Sequence, residues 1–135
     1  MISTIESCEG YNMPTIITIC ETCKREGWAD RSVSETDGLK FAKLIEQIPT
    51  NNRRVSIRRH SCLMGCKNGC NVIIQDNDKL SYALGNFTPD LESATALVNY
   101  ANLHAESTNG QVPYKSWPEK IKGHFVARIP PLRKD

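Results

Sequence analysis

The chain has 135 residues, 39% hydrophobic and 24% charged, with 17 Lys and Arg against 15 Asp and Glu. That length suits one domain with its own core rather than two. No run approaches the ~18 apolar residues of a membrane span, which excludes that class. Residues Met1–Ser7 lack the charged and apolar regions of a signal peptide, so a cytoplasmic protein is expected. The one abnormal number is six cysteines, and in a reducing compartment clustered cysteines point to metal or redox chemistry rather than to disulfides.

Residues 1–13 read as an N-terminal extension, with Cys8 an ordinary free thiol. Pro14–Cys20 is short and β-branched, a buried strand that ends on a cysteine. Residues 21–37 are polar and read as a loop. From Leu39 to Ile48 the apolar residues Phe41, Leu44, Ile45 and Ile48 fall at helical spacing, with Ser34 or Asp37 as cap and Pro49 as terminator. Arg53–His60 alternates around Val55 and Ile57, a second strand, and Ser61–Cys70 is a glycine-containing loop. Asn71–Gln75 and Leu80–Leu84 are strands joined by the turn Asp76-Asn77-Asp78-Lys79.

Thr88-Pro89-Asp90 predicts a helix start, with a hydroxyl cap, a proline in the first turn and a carboxylate near the positive dipole end. Leu91, Ala94, Leu97, Val98 and Ala101 form its expected buried stripe, and Asn109-Gly110 ends it. A basic, proline-containing tail follows. The expected division is therefore an extension (1–13), a domain (14–110) and a tail (111–135). The element order predicts an α/β fold, a thioredoxin-like sandwich with a mixed four-stranded sheet and two main helices.

Five of the six cysteines fall into two groups, Cys20-x2-Cys23 and Cys62-x3-Cys66-x3-Cys70, each following a predicted strand. Parallel neighbouring strands would bring both loops to the same end of the sheet. Four thiolates meeting there suit tetrahedral zinc or an iron–sulfur cluster. Three cysteines in one short basic loop do not match an ordinary zinc ribbon. Residues 53–70 carry Arg53, Arg54, Arg58, Arg59 and Lys67 and no acidic group. Together with Lys24 and Arg25, that charge would offset the negative charge of a thiolate-bound 2Fe–2S cluster. The same block could bind phosphates, but no aromatic residues are interleaved with it and no nucleic-acid reader motif is present, so a nucleic-acid partner is not expected.

Cys62-Leu-Met-Gly-Cys66, followed by a strand, a turn and Tyr82-Ala-Leu-Gly-Asn86-Phe-Thr-Pro89, resembles the thioredoxin-like 2Fe–2S ferredoxins and the small cluster subunit of respiratory NADH dehydrogenases. Over residues 14–131 the chain also resembles a bacterial family described only as predicted metal-binding proteins, often encoded near cobalamin or cobalt-handling genes. That family's tail is similar to Val112-Pro113-Tyr114 through Val126-Ala127-Arg128-Ile129-Pro130-Pro131. The resemblance implies a small electron-transfer protein, not a catalyst in its own right, with redox proteins as partners and a homodimer as its assembly. It departs from the ferredoxins in the close spacing of Cys20 and Cys23, and in Cys70, which stands where better-known members have proline.

The expected ligands are Cys20, Cys23, Cys62 and Cys66, with Cys70 an alternative fourth ligand or a nearby thiol. Arg53, Arg54, Arg58, Arg59 and Lys67 would steer an acidic partner. Two alternatives use the same thiols: a zinc- or cobalt-binding delivery module linked to cobalamin metabolism, and a thiol–disulfide oxidoreductase built on Cys20 and Cys23. Against the latter, no proline lies between Pro49 and Pro89. His60 and Met64 are read as a surface hydrogen-bonder and a packing residue, and Trp28 and Trp117 as packing residues. His104 and His124 have no partner at ligand spacing.

Overall fold

The computed structural model describes residues 15–31, 33–49, 55–64 and 69–131. Cys8, Arg53, Arg54, Cys66 and Lys67 lie outside the described residues. The strands are β1 (Thr15–Cys20), β2 (Val55–His60), β3 (Val72–Gln75), β4 (Ser81–Leu84) and β5 (Phe125–Ile129). The helices are α1 (Asp37–Glu46) and α2 (Leu91–Glu106), with short 3-10 turns at Trp28–Asp30, Tyr114–Ser116 and Glu119–Ile121.

The sheet order is β2-β1-β3-β4-β5. Strands β1 and β2 are parallel and every other pair is antiparallel. This is a mixed sheet of thioredoxin-like order, with five strands where four are expected. The fifth comes from the expected tail, of which residues 111–131 fold back on the domain. Strand β5 covers the edge of β4, while Val112 and Ile121 enter the core. Its residues beyond Phe125 are all exposed, so it carries no apolar alternation that a sequence pattern could detect.

Helices α1 and α2 pack on each other and both touch β1, so they share one face of the sheet. Ile17 and Ile19 on β1 meet Phe41 and Ile45 on α1 and Ala94, Leu97, Val98 and Ala101 on α2 within one buried cluster. Leu91, expected in that stripe, is 58% exposed. It is the first residue of α2, before the helix passes over the core. The caps also shift by a residue or two. Thr36, not Ser34 or Asp37, caps α1 by accepting the Leu39 N–H at 3.0 Å, and Asp90, not Thr88, caps α2 by accepting the Ser93 N–H at 2.8 Å. Helix α2 ends at Glu106, before Asn109-Gly110.

At the lower end of α2, His104 is fully buried. Its Nε2 lies 2.7 Å from the Leu80 carbonyl and its Nδ1 2.9 Å from Thr15 Oγ1. Neutral imidazole satisfies both contacts, with Nε2–H donating and Nδ1 accepting from the hydroxyl. Burial holds this histidine below its ordinary pKa, helped by nearby Lys79 and only partly opposed by the Leu80 bond and Asp76. The unfolded chain therefore binds the proton more readily than the native one. The contribution is fully present above about pH 6.5 and is lost as pH falls below it toward the folded value. The urea midpoint should fall between about pH 7 and pH 5, and His104→Gln should flatten that part of the profile.

Candidate metal centre

Parallel pairing sets the geometry of the cysteine loops. The β1–β2 register runs from Thr15↔Val55 to Cys20↔His60, so the loops after the two strands leave the sheet side by side. Hydrogen bonds then join them. Glu21 N–H donates to the His60 carbonyl at 3.0 Å, the Thr22 hydroxyl donates to the Ser61 carbonyl, and Cys20 N–H donates to the Asn71 carbonyl at 3.2 Å.

Cys20, Cys23 and Cys70 are buried and Cys62 is exposed, all as free thiols. The Thr22 hydroxyl lies 3.7 Å from Cys20 Sγ. The Met64 N–H donates to Cys62 Sγ at 3.4 Å. Met64 turns the chain there with φ 60 and is 88% exposed.

Burial would raise the Cys20 thiol, but bonds from Cys23, Leu63 and Thr22 outweigh it and hold Cys20 below the ordinary thiol value. Cys23 moves the other way, because burial, its donation to Cys20 and the neighbouring Cys20 and Cys70 all favour the neutral form. Burial, with nearby Asp37, pushes Cys70 up to about 12. Cys70, at the end of the second loop, is fully buried and belongs to the hydrophobic cluster.

The first turn of α1 holds the Cys20–Cys23 loop in place, a role that sequence reading missed. Gly38 N–H donates to the Cys23 carbonyl at 2.9 Å, and the Thr36 hydroxyl donates to the Glu21 carbonyl at 2.5 Å. Asp37 is 3% exposed, and its Oδ2 accepts the Arg25 N–H at 2.6 Å. Arg31 closes on both Asp37 oxygens, at 3.1 and 2.8 Å. Burial alone would raise this carboxyl, but Arg31 and the Arg25 N–H hold it below the usual range. The available signal was Thr36-Asp37-Gly38 at a helix start, which reads as a cap.

Of the expected docking residues, Arg58 and Arg59 are among those described, and both make contacts within the chain. Arg59 closes fork-on-fork on Glu46, at 2.8 and 2.7 Å. Arg58 donates to Thr18 Oγ1 at 2.9 Å and to Gln75 Oε1 at 3.3 Å, and no carboxylate among the described residues pairs with it. His60 Nδ1 lies 3.4 Å from the Cys62 N, a local bond. Trp28 donates to the Glu35 carbonyl at 2.9 Å and carries Lys24 over its ring at 4.4 Å, while Trp117 packs against the core. His124 stacks on Phe87 with ring centroids 4.3 Å apart.

The structure thus brings Cys20 and Cys23 together, buries Cys70 in the core cluster, and ties in the loop that carries Cys62. Among the described residues, no group of three or more His, Cys, Asp or Glu is arranged to hold a metal ion. Cys66, the fourth expected ligand, lies outside them. No helix of the described residues is long and apolar enough to cross a membrane.

No curated protein and no solved structure is significantly similar to the chain. A family model described as "Protein of unknown function (DUF1636)" matches residues 17–131, from within β1 to past the end of β5 and across both cysteine loops. The chain belongs to that family.

Proposed function

We propose that the protein is a small 2Fe–2S electron carrier, with the cluster held by thiolates of two loops: Cys20 and Cys23 after β1, and Cys62 and Cys66 after β2. The observation that carries this reading is the side-by-side exit of the two cysteine loops, joined by the Glu21–His60 and Thr22–Ser61 hydrogen bonds, with the Met64 N–H donating to Cys62 Sγ at 3.4 Å. A donor set made only of sulfur is soft, which suits iron–sulfur chemistry, and N–H donors to sulfur stabilise the added negative charge of the reduced state. A bound cluster supplies one-electron transfer, and the chain's residues supply the rest. The Met64 N–H polarises Cys62, and the α1 turn fixes the Cys20–Cys23 loop. Cys70, sunk in the core, is a neighbouring thiol rather than a ligand.

Redox proteins are the expected partners. Met64 and Leu63 border an apolar groove of about 240 Å³ with Ile73, Ala83 and Val126, beside the cysteine end of the sheet. With the positive charge of Arg58 on β2, this is the face we assign to docking of an acidic partner.

Anaerobic reconstitution with iron and sulfide, followed by metal counts and optical and EPR spectra, tests the proposal. We expect about two irons and two sulfides per chain and an axial EPR signal after dithionite reduction. Cys20→Ser or Cys23→Ser should abolish the signal, whereas Cys70→Ser should retain it. A colourless protein carrying stoichiometric zinc or cobalt would replace the electron carrier with a metal-delivery module.

One observation favours a second reading. The neighbouring pair of Cys20 and Cys23 after β1, with Cys20 shifted down and Cys23 up, suits attack of the Cys20 thiolate on a substrate disulfide. Cys23 would then displace the mixed disulfide, leaving Cys20–Cys23 oxidised and both substrate sulfurs reduced. Insulin-disulfide reduction by metal-free protein, lost in Cys23→Ser, would favour it.

A further inference from the structure

A second cavity owes nothing to the cysteines. A crevice of about 320 Å³ opens between β5 and the segment leaving α2, and none of its lining residues belongs to the cysteine loops. Its walls are the rings of Tyr82, Trp117 and Phe125, with Val112 buried between them and Gln111 and Arg128 exposed at the mouth. The rings support one another, with Trp117 4.7 Å and Tyr82 5.5 Å from the Phe125 centroid. Trp117 Nε1 already donates to the Val112 carbonyl at 2.8 Å. That bond fixes the indole and uses its polar edge, so the ring face is what it offers. Arg128 sits 5.9 Å from the Tyr82 centroid, and no carboxylate among the described residues pairs with it.

Aromatic walls favour a flat apolar body, and a guanidinium with no carboxylate of its own favours a carboxylate in bidentate contact. The volume lies at the small end of ligand cavities, enough for one or two fused rings. We propose that this crevice binds a small planar aromatic carboxylate, its ring against Trp117 and Phe125 and its carboxylate on Arg128.

The test uses the full-length chain and a matched pair of probes, 2-naphthoate and neutral 2-naphthamide, followed by calorimetry and by NMR of the indole N–H signals. Naphthoate should saturate at about one per chain and bind about tenfold more tightly than the amide, a difference of about 1.4 kcal/mol. The Trp117 signal should move and the Trp28 signal should stay. Arg128→Gln changes an exposed side chain on an edge strand, so the fold should persist. It should erase the preference for the acid and leave amide binding within about twofold. Equal binding of acid and amide, a response at Trp28 instead, or an Arg128→Gln protein that still prefers the acid would overturn the proposal. Absence of saturable binding would overturn it too. A Trp117 signal that shifts with protein concentration alone would give the crevice to a second copy of the chain, which also overturns it.

Discussion

Gly38→Ala should destabilise the protein by about 3 kcal/mol and impair iron uptake, although alanine is normally the better helix former by about 1 kcal/mol. A methyl carbon built at Gly38 would stand 2.0 Å from the Cys20 carbonyl oxygen and 3.0 Å from the Cys23 nitrogen. Both are backbone atoms, so no side chain can swing aside to relieve the overlap. Either α1 retreats from β1, opening the core at Phe41 and Ile45, or the Cys20–Cys23 loop shifts. Urea unfolding should show a lower midpoint with an unchanged slope. Iron per chain after reconstitution should fall in the same variant. Unchanged or increased stability would mean that the helix does not bear on the loop as described.

The second large effect is expected at Asp37. Asp37→Ala should cost about 2 kcal/mol, mostly because the Arg25 N–H loses its buried acceptor. Less comes from the ion pair itself, since Arg31 is 45% exposed and can turn to water. Asp37→Asn keeps an acceptor and should cost about half as much. The pH dependence separates charge from shape. The folded carboxyl titrates below its unfolded value, so its contribution is complete above about pH 4 and is lost as pH falls through the folded pKa. The unfolding profile of the wild-type chain should therefore drop at the acid end more steeply than that of Asp37→Asn. Identical acid limbs would remove the ionised carboxylate from the account of this loop.

Much of the architecture was legible in the chain. The β-branched run ending at Cys20, the helical spacing of Phe41, Leu44, Ile45 and Ile48, and the strand–turn–strand around Asp76–Lys79 each reflect a local period or turn that the structure keeps. Parallel neighbouring strands at β1 and β2 made it possible to expect both cysteine loops at one end of the sheet. What escaped was set by distant contacts. Phe125–Ile129 is a strand because β4 is there to pair with it, not because of its own pattern. Asp37 and Gly38 look like the start of any helix, and their grip on Cys23 and Arg25 exists only once β1 and α1 pack. Arg59 looked like free charge for a partner because its own partner, Glu46, lies on another element.

The two edges of the sheet differ in how they could meet another molecule. Strand β5 runs into Pro130 and Pro131, which have no N–H to offer, so a further strand could not continue the ladder there for long. Strand β2 has no such stop among the described residues, and its last residue, His60, precedes Cys62 by two. Self-assembly by strand addition would therefore favour β2 and would bring the incoming chain against the cysteine loop. A strand added at that edge would lie beside the loop that carries Cys62, so one edge would serve both pairing and access to that sulfur.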